Sequence, residues 1–209
     1  EILGYNNDFE NLVNIPVFAK KLEVIENSLY ADKDVISKLL FFTIVVENSS
    51  LFSQFANILS FTRFKGYLKN TSNIIAWTSI DEQNHADAGV FLLNILENEG
   101  FLTNEIKERI AQEVKKYIEY EAELLDWIYE NGELDFFSKN DMLNFMKYRV
   151  DNSLQKIGIP KLYNITTQQY QPMHWFDEEV FANELDDFFA KRPTAYTKHD
   201  KSIYAEDLF

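Results

Sequence analysis

Asp81-Glu82-Gln83-Asn84-His85 is the stretch on which the reading of this chain turns. Glu82 and His85 stand three residues apart, and residues at that spacing share one face of a helix. The flanking sequence is helical in pattern. Ile75, Thr78, Glu82, His85, Gly89 and Leu92 form one stripe over Ser72 to Asn98, which Gly100 ends. A carboxylate and an imidazole are therefore expected on an inward face. Stripping a charge of water is costly unless a partner compensates, so both side chains call for one.

The preceding helix offers that partner. Asp34 to Thr62 carries Ile36, Leu40, Thr43, Leu51, Phe55 and Ile58 in phase, and Glu47 falls on the same stripe. Lys65-Gly66 makes the turn, and Asn70-Thr71-Ser72 supplies caps for the next helix. Helices joined so briefly lie antiparallel. Glu47 sits roughly five turns before the connection and Glu82 about three turns after it, at 3.6 residues per turn. Levelling them requires a shifted start, a bend or a bulged turn in the first helix, and bulged turns favour functional sites. Dinuclear carboxylate bundles hold metal with Glu side chains and two Glu-x-x-His motifs. This chain has one such motif. On the motif alone, chance occurrence in a helical protein stays open beside metal binding.

Working outward, Asn14 to Leu29 carries Val17, Phe18, Leu22 and Ile25 at helical spacing behind Pro16, a first-turn residue. Thr103 to Glu130 repeats the pattern, with Glu121 on an inward phase as a hydrogen-bonded core residue or a neighbour of metal ligands. Ser138 and Asp141 resemble a capping box that opens a helix to Ile157, stopped by Gly158 and Pro160. Periodicity then fades. His174 and His199 stand in loop-like sequence as solvated side chains, and Glu178-Glu179 and Asp186-Asp187 read as solvated charge.

Composition narrows the class. Only six Gly and four Pro in 209 residues favour an all-helical domain with few breaks. A net charge of -14 argues against nucleic acid and against an anionic membrane surface. The absence of cysteine restricts metal ligands to His, Asp and Glu. The longest apolar run, Leu39 to Val46, is far shorter than a membrane span, and no signal segment opens the chain. The expected setting is cytoplasmic.

These residues together resemble the small (beta) subunit of class I ribonucleotide reductase. Glu47 precedes Asp81-Glu82-Gln83-Asn84-His85 by the spacing of that family's later metal-binding helices. Asn14-Ile15-Pro16-Val17 with Lys20-Lys21 resembles the segment upstream of that Glu, and Asn144 to Gly158 a later helix. Asp187-Phe188-Phe189-Ala190-Lys191-Arg192, then Tyr196, resembles the family's tail, and Ala205-Glu206-Asp207-Leu208-Phe209 its docking peptide.

The resemblance implies an all-α, ferritin-like helical bundle over 1–189 and a flexible tail over 190–209 that docks on the large subunit through 203–209. It implies Glu47, Glu82 and His85 as ligands of one ion in a dinuclear iron or manganese site (Fe/Fe, Mn/Mn or Mn/Fe). Asp81 and Tyr196 become radical-relay residues, and Leu51 and Phe55 apolar neighbours of the cluster. The implied function is to generate an oxidising equivalent and relay it to the large subunit, which reduces ribonucleotides to deoxyribonucleotides. The other ligands and the radical Tyr would precede Glu1, and Tyr5 falls too late for that role. The chain is thus expected to be the C-terminal half of a small subunit, incomplete as a bundle. Its N-terminal half would be a separate chain or a missing segment, and small subunits would pair as a dimer. Ile80 replaces an Arg common in the family. Two alternatives are a metal-free docking half and a ferritin-like metal-binding oxidase.

Overall fold

The computed structural model describes residues 11–29 and 34–181. Helices account for most of them, and no strand occurs among the described residues. After a short 3-10 turn at Leu12–Asn14, α1 runs Pro16–Leu29 with Pro16 at its first position. A long helix comes next in three parts: α2 (Val35–Phe41), a π-helical stretch (Phe42–Ser50) and α3 (Leu51–Lys65). Asp34 caps its start by accepting the Ser37 backbone N–H at 2.8 Å. Gly66, at φ 72, ends it in the left-handed conformation that lacks a Cβ penalty.

Helix α4 spans Lys69–Asn98, α5 Asn104–Ile128 and α6 Lys139–Lys156. The expected capping box is present: Ser138 accepts the Asp141 N–H, and Asp141 accepts the Ser138 N–H at 2.8 Å. Start signals at 70–72 are superseded, because α4 begins at Lys69 behind Leu68 at φ 57, with no side-chain cap. Thr62 and Ser72 instead bond side chain to side chain across the turn. The expected loop around His174 is also corrected. The chain forms α7 (Thr167–Tyr170), a 3-10 turn (Gln171–Met173) and α8 (His174–Val180). His174 stays exposed and pairs with Glu178 at 3.4 Å. Glu179 likewise meets Arg63, at 3.2 Å. Asp151, 1% exposed, organises the connection after α6 by accepting backbone N–H groups of Leu162, Tyr163 and Ile165.

The core gathers around the long kinked helix, with Leu40, Phe41, Ile44 and Phe52 fully buried. By length and composition alone Val35–Lys65 could cross a membrane, which the shorter run Leu39 to Val46 does not convey. In this fold it is the central helix, with 61% of its most apolar stretch buried. The π-helical stretch packs against α4 on one side and α6 on the other. Tail residues 190–209, with Tyr196, His199 and the docking peptide, lie outside the described residues, as do Tyr5 and Asp186-Asp187.

Candidate metal centre

The crossing of the π-helical stretch with α4 is unusually close. A Cβ built on Gly89 would lie 2.2 Å from the Thr43 hydroxyl oxygen. Glycine inside a helix costs roughly 0.5–1 kcal/mol relative to alanine, so a packing reason is needed, and this contact supplies one. Glu47 and His85 lie one turn along from Thr43 and Gly89 on their respective helices. The offset between the two carboxylates is narrowed by the start of α4 at Lys69 and by the π-helix. Its i→i+5 pattern, as in the Leu51 N–H bonding to the Val46 carbonyl, adds a widened turn and rotates the helix beyond it. A bulged turn is among the devices the spacing requires.

Glu47, Glu82 and His85 converge, each presenting one ligand atom, with these atoms within 4.8 Å of one another. Glu47 is 5% exposed, and its Oε2 is buried with no hydrogen-bond partner. Glu82 is half-buried, and its carboxylate accepts from His85 Nδ1 at 3.1 Å. The expectation that both α4 residues face inward needs correction: the His85 side chain is 56% exposed. Leu92 on the same stripe is 49% exposed. The buried line of α4 runs through Ser72, Ser79, Ala86, Gly89, Val90 and Leu93, a fraction of a turn away. Apolar residues occur on both sides of this helix, with Ile74, Trp77, Phe91 and Ile95 exposed. A stripe drawn from sequence could not choose between the two faces. Asp81 is exposed beside the cluster, its carboxylate 3.9 Å from His85 Nε2.

Electrostatics mark the cluster as short of positive charge. Burial, then the adjacent Glu82 carboxylate, pushes Glu47 up to about 8. Glu82 is held below its ordinary value by its hydrogen bond with Glu47 and then by His85. His85 is raised, first by its bond to Glu82 and then by the neighbouring carboxylates. Without a cation the cluster thus keeps a proton on Glu47. Two carboxylates and an imidazole form a hard-oxygen and nitrogen donor set that fits iron or manganese. The orphaned Glu47 oxygen is the atom such an ion would satisfy.

The remaining candidate residues have other surroundings. Glu121, 2% exposed, accepts from Ser50 Oγ at 2.9 Å and pairs with Lys21 Nζ at 2.7 Å. Tyr117 donates to the same Ser50 at 3.0 Å. Glu121 is therefore a satisfied core carboxylate, as its phase suggests. Phe55 is buried and Leu51 half-buried in the central helix. Arg149 and Gln83, beside the ligand-bearing segments, are not singled out by sequence patterns. The available signal is phase: Arg149 follows Met142 and Phe145 on one stripe of its helix.

Comparison with known proteins identifies the family and the fold. Residues 2–172 match the family model "Ribonucleotide reductase, small chain". A protein of Invertebrate iridescent virus 3, named a probable ribonucleoside-diphosphate reductase small subunit, is 27% identical over 169 residues, 79% of this chain and 44% of that protein. A protein of the same name from Invertebrate iridescent virus 6 is 22% identical over 195 residues, 82% of this chain and 54% of its own length. The chain thus spans about half the length of the curated relatives it matches. Among solved structures, a class I ribonucleotide reductase candidate from Bacillus halodurans superposes with TM-score 0.72 at 18% identity, over 83% of this chain and 63% of its own. The ribonucleotide reductase R2 subunit from Clostridium botulinum gives 0.63 at 21%, over 83% and 52%. The fold is the all-α, ferritin-like bundle expected from sequence, and the chain belongs to the ribonucleotide reductase small-chain family.

Proposed function

We propose that this chain contributes one half of a dinuclear metal centre of a ribonucleotide reductase small subunit, with Glu47, Glu82 and His85 as the ligands of one ion. The observation that carries this reading is the convergence of those side chains at a π-helical turn, with the buried Glu47 oxygen unpartnered. The ion is iron or manganese, and when bound the pair supplies the one-electron oxidising chemistry on which nucleotide reduction depends. The residues of this chain do the rest. The Thr43–Gly89 contact fixes the approach of the two helices. Glu47 and His85 would hold the ion in their deprotonated forms, so uptake would be linked to proton release. Asp81, which is exposed beside His85, connects the centre on this reading to the relay that Tyr196 continues to the large subunit.

The remaining ligands come from polypeptide outside this chain, whether a separate N-terminal half or a further segment. Two features favour this. Among the described residues three possible ligands converge, which suits one ion rather than two. The exposed Ile74, Trp77, Phe91 and Leu92 flank the open side of the cluster along α4, an apolar surface suited to further helices. On the same reading, residues 203–209 dock the large subunit, small subunits pair, and the setting is cytoplasmic.

Reconstitution tests the proposal. The chain, with the rest of its small subunit and the large subunit, is expected to bind metal and reduce ribonucleotides. Tyr196→Phe should keep the metal and lose turnover, and loss of residues 203–209 should abolish large-subunit binding. Turnover by Tyr196→Phe near the parent rate contradicts the relay. Intact ligands that take up no metal contradict the centre itself.

A further inference from the structure

Arg149 projects from α6 into the gap between the two ligand-bearing segments, and its side chain is 9% exposed. Its Nε donates to the Asn48 carbonyl at 2.6 Å, and its Nη2 donates to Gln83 Oε1 at 2.9 Å. Asn48 is the residue after Glu47, and Gln83 the residue after Glu82. The guanidinium lies 3.7 Å from the centroid of the Phe52 ring, and its nearest carboxylate, Asp177, is 3.9 Å away. A buried cation held chiefly by a carbonyl, an amide and an aromatic face is costly to keep. What it gains here is geometric. A planar fork donates along fixed directions, so one residue can set the separation and register of two helices. The Asn48 carbonyl belongs to the π-helical stretch, and Asn48 Nδ2 in turn donates to the Thr43 carbonyl at 3.0 Å. The fork therefore bears directly on the widened turn that aims Glu47.

We propose that Arg149 is a positioning residue for the metal centre: by bridging Asn48 and Gln83 it holds the π-helical turn and α4 in the register at which Glu47, Glu82 and His85 converge. This rests on the proposed metal site, although the bridge can be judged without metal. Residues that orient metal ligands typically cost 10–100-fold in affinity when removed.

The test compares Arg149→Met, which keeps the buried stem, with Arg149→Lys, which keeps the charge but not the fork. Mn(II) uptake is read from the electron paramagnetic resonance of the free ion, and helix content from circular dichroism. The chain has no cysteine, so Gln54→Cys and Asn98→Cys give clean spin-label sites on the exposed sides of α3 and α4. Both Arg149 variants should bind Mn(II) about 10–100-fold more weakly at unchanged helix content. They should also broaden the distance distribution between the labels. Gln83→Leu, which leaves the guanidinium in place, should weaken binding less and add nothing on top of Arg149→Met. Affinity and label distances unchanged in Arg149→Met overturn the proposal, and full rescue by lysine reduces it to a charge effect and overturns the fork. Should Arg149→Met fail to fold, Gln83→Leu decides: unchanged affinity and distances overturn the bridge. If the parent chain, assembled with the rest of its small subunit, takes up no Mn(II), the metal reading fails, and the label distances alone then support or refute the bridge.

Discussion

Glu47 and Glu121 are the same residue type, nearly equally buried at 5% and 2% exposure, yet they keep opposite company. Both meet the stretch Phe42–Ser50, Glu47 from within it and Glu121 from α5 through Ser50. Glu121 has a lysine and a hydroxyl, and Tyr117 completes the network around it. Glu47 has a second carboxylate and an orphaned oxygen. A buried carboxylate with all its partners is architecture. One set among other donor groups with no cationic partner fits the proposed metal site. The difference shows why burial alone does not identify function: the company decides.

Substitutions should separate the two regions. The largest effect is expected at the ligands, where Glu82→Ala or His85→Ala abolishes specific Mn(II) uptake while far-UV circular dichroism stays near that of the parent. Glu121→Leu should do the reverse, lowering stability by about 3 kcal/mol, because Lys21 loses its buried partner, while leaving ligand identity intact. Chemical denaturation measures it. Equal loss of metal affinity and stability in both sets of variants would erase the distinction.

How far the sequence reaches can be judged at these positions. The Glu-x-x-His spacing, the facing Glu47 and the inward phase of Glu121 are local periodicities, and they survive folding because the helices are long. The spacing conflict called for a shifted start, a bend or a bulged turn, and the structure has a π-helix at Glu47 and a start of α4 at Lys69. The exposure of His85 was not legible, since α4 carries apolar side chains on more than one face and only neighbouring chain segments decide which is covered. Arg149 was equally hidden. Its role depends on contacts 101 and 66 residues away in sequence, to Asn48 and Gln83, which no periodicity encodes.

A smaller effect is expected where the helices cross. Gly89→Ala drives a methyl into Thr43 and should cost about 1–3 kcal/mol by overpacking. Thr43→Ala in the same chain should recover part of that loss in thermal unfolding, since it removes the two nearest atoms but leaves the Thr43 Cβ at 3.0 Å.

The finest distinction is in pH dependence. Glu47 ordinarily titrates near 4.5 and is pushed up to about 8 in the folded chain. Between those values the folded state binds a proton that the unfolded state has released, so metal-free stability falls as pH rises. His85, also raised, contributes in the same direction, with stability present below 6.5 and lost as pH passes its folded value. Glu47→Gln should flatten this slope, whereas Mn(II) uptake by the parent should strengthen with pH as protons leave the ligands. An unchanged slope in Glu47→Gln would deny Glu47 its special environment.

The most direct measurement is anomalous diffraction at the manganese edge from crystals of the chain assembled with the rest of its small subunit and grown with Mn(II). The expected result is a peak within bonding distance of Glu47, Glu82 and His85 together, absent in Glu82→Ala. Density elsewhere on the surface, or none with all three side chains intact, would contradict the account.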